Sequence, residues 1–217
     1  EEKTQRRVNF LKDYQDEGWA TRYSNLVKKA IVAEKECAPG MEGFGAAVSE
    51  NFFKLMSYKD EYEVARLFAS EEFRRKVEEQ FEGNFHLSFH LAPPILSRRD
   101  SETGHLRKRE FGGWIIIAFK ILTKFRVLRG TRWDPFGYTA ERRKERQLIT
   151  EYENTLDEIF SSLSHDNHAV AVEIAQIPGR IKGFGHVKER NLQFAKRAEI
   201  QLLETFRSPS ARQTAAE

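Results

Sequence analysis

TAERRKERQLITEYENTLDEIFSSL, residues Thr139–Leu163, is the stretch from which the architecture is read. Leu148, Ile149, Tyr152, Leu156, Ile159, Phe160 and Leu163 recur at steps of three and four, which puts them on one face of an α-helix. The charges of ERRKER fall in its first turns, and Thr139 stands where an N-cap belongs. Similar periods lie on both sides. Downstream, Ser164–Ile177 reads as a shorter helix and Val187–Phe206 as the last one. Upstream, Trp114 to Gly130 is helical, and Gly130–Thr139 (GTRWDPFGYT) is an irregular loop. Nearer the start, Ser70 with Glu71 and Glu72 marks another N-terminus, followed by Phe73, Val77 and Phe81 every four residues. Helical spacing also covers Ala46–Phe68 and Arg6–Glu36, with Gly18 as the expected break in the latter. CAPGMEGFG, Cys37–Gly45, is a loop.

The period changes once. In NFHLSFHLAPP, Phe85, Leu87, Phe89 and Leu91 alternate with His86, Ser88 and His90, the pattern of a strand with one wet face, stopped by Pro93 and Pro94. The polar arm Ser97–Glu110 either closes a hairpin on this strand or leaves it without a partner in the chain. The expected fold is therefore mainly α, with one small β element near residues 84–110. We expect a single domain over 1–207 and a disordered tail over 208–217.

The 217 residues carry a net charge of +3, unevenly spread. Between Ser97 and Gln147, fourteen Lys/Arg face six Asp/Glu. Such a basic island suits nucleic acid, phosphates or acidic protein surfaces. The most apolar window, Phe111–Phe125, is interrupted by Lys120 and Lys124 and falls short of the roughly 20 residues that cross a membrane. Cys37 is the only cysteine, which excludes an internal disulfide and a cluster held by about four thiolates. A single cysteine fits a reducing cytoplasm, the expected setting; EEKTQRR shows no signal-peptide layout, and a chain that opens on Glu1 suggests a fragment.

Four constellations bear on chemistry. His86 and His90 share a face only on a helix; on a strand they stand about 13 Å apart, too far for one Zn²⁺, so no metal site is expected. Asp60, Glu61 and Glu63 read as a solvated helix face with Lys59 and Arg66 as local partners. Arg129, Arg132, Arg142, Arg143 and Arg146 surround Trp133, Phe136 and Tyr138. That mixture either grips a nucleotide or CoA-like anion by charge and stacking, or is a packed loop with Trp133 and Phe136 as anchors and Asp134 paired to an arginine. In IPGRIKGFGHVKERN, Ile177–Asn191, the glycine spacing matches no nucleotide-binding pattern. Gly183, Gly185, His186 and Lys188 there form either a plain turn or an anion contact. Positive charge at a helix N-terminus needs an anion or a carboxylate such as Glu189 to offset it.

RVNFLKDYQ (Arg7–Gln15), NFFKLMSYKDEYEVARL (Asn51–Leu67), FEGNFHLSFHLAPPIL (Phe81–Leu96), RGTRWDPFGYTAERR (Arg129–Arg143) and RIKGFGHVKERNL (Arg180–Leu192) together resemble the C-terminal region of the fused bacterial indolepyruvate ferredoxin oxidoreductases. The resemblance runs from about Arg7 to Arg207. It implies a parent enzyme that oxidatively decarboxylates aryl 2-oxo acids to acyl-CoA and reduces ferredoxin, using thiamine diphosphate, Mg²⁺ and 4Fe–4S clusters. No Gly-Asp-Gly segment with a following Asn-Asn pair is present, so the family's thiamine signature has no counterpart here and no catalytic residue is carried over. The expectation is an accessory domain, inactive alone, that packs on the thiamine-binding and γ-type domains of a homo-oligomer. The strand Phe85–Leu91 and its basic arm are its expected docking surface. Arg132, Trp133, Arg142, Arg143, Gly183, Gly185, His186 and Lys188 are candidate contacts for CoA. The alternative is a basic helical nucleic-acid-binding module.

Overall fold

The computed structural model describes residues 2–81, 83, 85–91 and 109–208. In chain order they form α1 (Glu2–Tyr14), α2 (Glu17–Cys37), α3 (Phe44–Met56), α4 (Glu61–Ala69), α5 (Glu71–Gln80), β1 (Ser88–Leu91), β2 (Arg109–Gly112) and α6 (Ile115–Lys124). A 3-10 turn at Phe125–Leu128 follows, then α7 (Ala140–Ser162), α8 (His168–Ala175), the single turn α9 (Ile177–Arg180) and α10 (Gly185–Arg207). The fold is mainly helical with one small antiparallel hairpin, as the periodicity predicts. The expected tail lies outside the described residues from 209 onward. Among the described residues, no helix is long and apolar enough to cross a membrane.

Side-chain caps divide the helical stretches at Asp16, Asp60 and Ser70. The first helical stretch breaks at Asp16, not Gly18: the Asp16 carboxylate accepts from Trp19 N at 2.7 Å and starts α2. The stretch read over 46–68 divides likewise, because Asp60 accepts from Glu63 N at 2.8 Å and caps α4. Ser70 caps α5 as read, with Phe73 N donating to its hydroxyl at 3.1 Å. Thr139 Oγ1 accepts from Arg142 N at 3.2 Å. The helix expected from Ser164 begins only at His168. Asn167 ties the intervening turn by accepting from Ser164 N and donating to Ser162 O, both at 2.8 Å.

The chain divides into two compact units, Glu1–Tyr58 with Glu145–Glu217, and Lys59–Lys144. In the first, α7 supplies the buried Ile149, Leu156 and Ile159, against Phe52 of α3 and Ile174 of α8. Tyr152 and Tyr23 stack on Phe52 with centroids 6.0 Å away in each case. Each fully buried side chain of this size contributes about 1.5–3 kcal/mol. The tyrosine hydroxyls keep their polar ends satisfied: Tyr14 donates to Tyr58 O, Tyr23 to Ser49 O and Tyr152 to Ala175 O, at 2.7, 2.9 and 2.9 Å. The N-terminus of α3 has no cap of its own. Glu34 from α2 accepts from Phe44 N and Gly45 N at 2.6 and 3.0 Å, and meets His168 Nε2 at 2.8 Å. Gly45 permits this approach, since a Cβ there would lie 2.7 Å from Ile31 Cγ1.

In the second unit, α4 packs on α6 and the hairpin closes a small aromatic core. Phe68, Phe89 and Phe119 meet pairwise with centroids 5.2–5.8 Å apart. β1 is shorter than the strand read over Phe85–Leu91, and it does have an intrachain partner. Phe89 stands opposite Phe111, and His90 opposite Glu110. Phe89 faces the core and His90 faces outward, which confirms the wet-face alternation over four residues.

Candidate functional site

The Arg129–Thr139 loop rests on buried charge. Asp60, besides capping α4, accepts from Arg129 Nε at 2.6 Å and Nη2 at 2.9 Å, a two-pronged pair in which both residues are under 5 % exposed. The Arg129 guanidinium also lies 5.5 Å from the centroid of the Tyr62 ring. Tyr62 donates to Asp134 Oδ1 at 3.1 Å, and the backbone N–H groups of Gly130 and Phe136 donate to the same carboxylate at 2.8 and 3.1 Å. Asp134 therefore pins both ends of the loop's tight part. Gly137 lies against it so closely that a Cβ would come within 2.7 Å of Oδ2. Burial raises the Tyr62 phenol well above its ordinary range, and the Asp134 carboxylate raises it further.

The acids read as a solvated face are instead partnered and largely buried. Glu61 pairs with Arg142 at 3.4 Å, and Glu63 with Arg66 at 2.8 Å in two-pronged geometry. Burial opposes the Arg142 charge, but Glu61 more than offsets it and the guanidinium is held above its ordinary pKa. Arg66 partners Glu63 as local spacing predicts, but the partners of Asp60 and Glu61 lie 69 and 81 residues away. A signal was available nonetheless: Asp60 precedes Glu63 by three, the spacing of a helix start.

Above this base the loop turns its planar groups outward. Trp133 is 69 % exposed and Tyr138 61 %, while Phe136 folds in against Tyr62 at 5.3 Å. The Arg132 guanidinium stacks 5.3 Å from the centroid of Trp133. Tyr138 Oη donates to Arg132 O, and Arg143 Nη2 donates to Tyr138 O at 2.8 Å. The packed-loop reading is met in part: Phe136 anchors, Trp133 does not, and Asp134 holds a tyrosine and two amides rather than an arginine. Arg132, Trp133 and Arg143 form an outward arginine–aromatic platform, while Arg142 is engaged by Glu61.

Gly183, Gly185, His186 and Lys188 lie in the first unit, and the platform in the second. Gly183 has φ +97°, a conformation that favours glycine. The loop offers carbonyl oxygens to donors: Lys54 Nζ reaches Pro178 O, Gly179 O and Ile181 O at 2.6–3.1 Å, and Asn191 Nδ2 reaches Lys182 O at 2.8 Å. Burial lowers the Lys54 pKa, and the nearby charges of Lys182 and Lys188 add to this. The carboxylate offsetting Lys188 is Glu145 of α7, in a half-buried ion pair. His186 and Phe184 are both exposed.

His86 and His90 are both exposed, His86 ahead of β1 and His90 within it. Among the described residues no cluster of three or more His, Cys, Asp or Glu is placed to hold a metal ion.

No curated protein and no solved structure matches the chain. Residues 1–200 match DUF6537, described as a family of unknown function. The match spans most of the 217 residues, and the chain belongs to the DUF6537 family.

Proposed function

We propose that this chain is an accessory, interface-forming domain of an indolepyruvate ferredoxin oxidoreductase, contributing no acid, base or nucleophile to the reaction. The five strings that resemble that family supply the parentage. The observation that carries the role is where the ionisable groups are spent. Asp60, Glu61, Glu63 and Glu145 each hold a cation, and Glu34 holds two backbone N–H groups and His168. Such groups fasten helices and loops to one another, while tryptophan, isoleucine and phenylalanine side chains are left on the outside. In the parent, thiamine diphosphate, Mg²⁺ and the 4Fe–4S clusters belong to the thiamine-binding and γ-type portions, ferredoxin takes the electrons, and the assembly is a cytoplasmic homo-oligomer. The Arg132–Trp133 platform is the candidate contact for CoA on this chain. The basic island supports a nucleic-acid module less well, because Arg129 and Arg142 are committed to Asp60 and Glu61.

The test compares three proteins in indolepyruvate-dependent ferredoxin reduction: the intact oxidoreductase, the same enzyme lacking this region, and the isolated chain with all cofactors added. The isolated chain is expected to be inactive, and the truncated enzyme to lose its assembly or most of its rate. Turnover by the isolated chain, or full activity and assembly without it, sinks the proposal.

A further inference from the structure

The helix α6 is apolar on two faces. Ile115, Phe119 and Leu122 face the core of the second unit. On the opposite side Trp114, Ile117, Ile121 and Phe125 are 63, 65, 55 and 49 % exposed. These four follow one another by three, four and four residues, so they form one stripe about 16 Å long on the outer face. A helix apolar on all sides belongs in a protein interior. One edge of the stripe carries Lys120 and Lys124, both exposed. From Phe111 to Trp133 the sequence contains no Asp or Glu, so α6 itself supplies no acid to either edge; from α5, Glu71 and Arg74 line a cavity with Lys120.

We propose that α6 docks, outer face inward, into an apolar groove bordered by carboxylates on a protein partner; resting on the function proposed above, that partner is the thiamine-binding or γ-type portion of the same enzyme. The spacing of the four anchors is that of a helix laid in a groove. The lysine edge selects an acidic rim and fixes which way round the helix lies. A second copy is the poorer occupant. In an antiparallel α6 pair related by a two-fold axis the lysine edges meet, and in a parallel pair they meet an edge with no acid. A lipid surface gains little from lysines confined to one border of so short a helix.

The experiment uses the full chain and the separately purified thiamine-binding and γ-type portions, with binding followed by interferometry at two salt concentrations. Wild type binds, and Ile117→Glu/Ile121→Glu weakens binding by about thirtyfold or more. Lys120→Glu/Lys124→Glu weakens it by about tenfold at low salt and removes most of the salt dependence. All substituted positions are exposed, and an unchanged melting temperature establishes that the variants fold. Binding that survives both double variants overturns the α6 assignment while leaving the proposed function standing. If wild type fails to bind either portion, the proposed function falls. Sedimentation and flotation with phosphatidylglycerol vesicles then decide the occupant: dimerisation or flotation lost in Ile117→Glu/Ile121→Glu makes it a second copy or lipid, and a chain silent in all assays overturns the docking face outright.

Discussion

The two units solve the same problem, fixing irregular segments against helices, with different chemistry. The first does so largely with tyrosines, beside the charged Glu34 and Lys54. Tyr14, Tyr23 and Tyr152 bury their rings in a large apolar core and spend one hydroxyl each on a backbone carbonyl. The second has a core of a few phenylalanines and fixes its loop with full charges: Asp60 on Arg129, and Asp134 on Tyr62 and two backbone amides. A neutral hydroxyl left without its acceptor costs little beyond one hydrogen bond. A buried charge left without its partner costs several times more. A small core therefore gains a well-defined loop but becomes fragile at single residues, whereas the larger core spreads its stability over many contacts.

The sharpest way to break this contrast is Arg129→Ala. It strands the Asp60 carboxylate in a site that is 3 % exposed and is expected to cost about 3–5 kcal/mol. Urea unfolding followed by tryptophan fluorescence reports it, since Trp114 and Trp133 both lie in that unit. Asp60→Ala/Arg129→Met removes both charges and should restore all but the capping contribution, about 1 kcal/mol. A single variant as stable as wild type would show that the pair organises nothing.

Leu156→Ala is the matched test of the first unit. Leu156 is fully buried on α7, and its truncation is expected to cost about 3 kcal/mol through lost burial and the cavity left behind. The loss should be seen by far-UV circular dichroism as an earlier transition with an unchanged signal before it. A larger effect than that of Arg129→Ala would reverse the ranking of the two cores.

Periodicity and capping residues made the helices legible, because both are local. Ser70, Thr139 and the Leu148–Leu163 stripe lie where their spacing puts them. The change from period four to period two at Phe85–Leu91 likewise located the hairpin. What escaped was long-range pairing of charge. Nothing near Asp60 or Lys188 names Arg129 or Glu145 as the partner, and for Lys188 the nearer candidate was Glu189. Gly18 misled for a related reason: flexibility permits a break, whereas a carboxylate at Asp16 makes one. In the candidate platform the residue types were legible, but not which would point outward; Trp133 does and Phe136 does not, because Asp134 and Tyr62 set the loop's orientation from beneath.

The smallest effect is read by pH, within the first unit. Tyr152→Phe deletes the hydrogen bond to Ala175 O and is expected to cost about 1 kcal/mol near neutrality. Burial raises the Tyr152 phenol above its ordinary value of 10.0, and Glu199 adds to the rise. A group whose folded pKa exceeds its unfolded one contributes stability that is fully present below the unfolded value, here about pH 10, and is lost as pH rises through the folded value. In that window the unfolded tyrosine ionises while the folded one does not, so wild type loses stability that the phenylalanine variant keeps. The difference between the two proteins should hold constant from pH 6 to about 9.5 and then shrink, reversing sign within about one pH unit above 10. Denaturant midpoints measured across that range check it, and a difference that stays constant through pH 11 would mean that the Tyr152 ring is not enclosed as described.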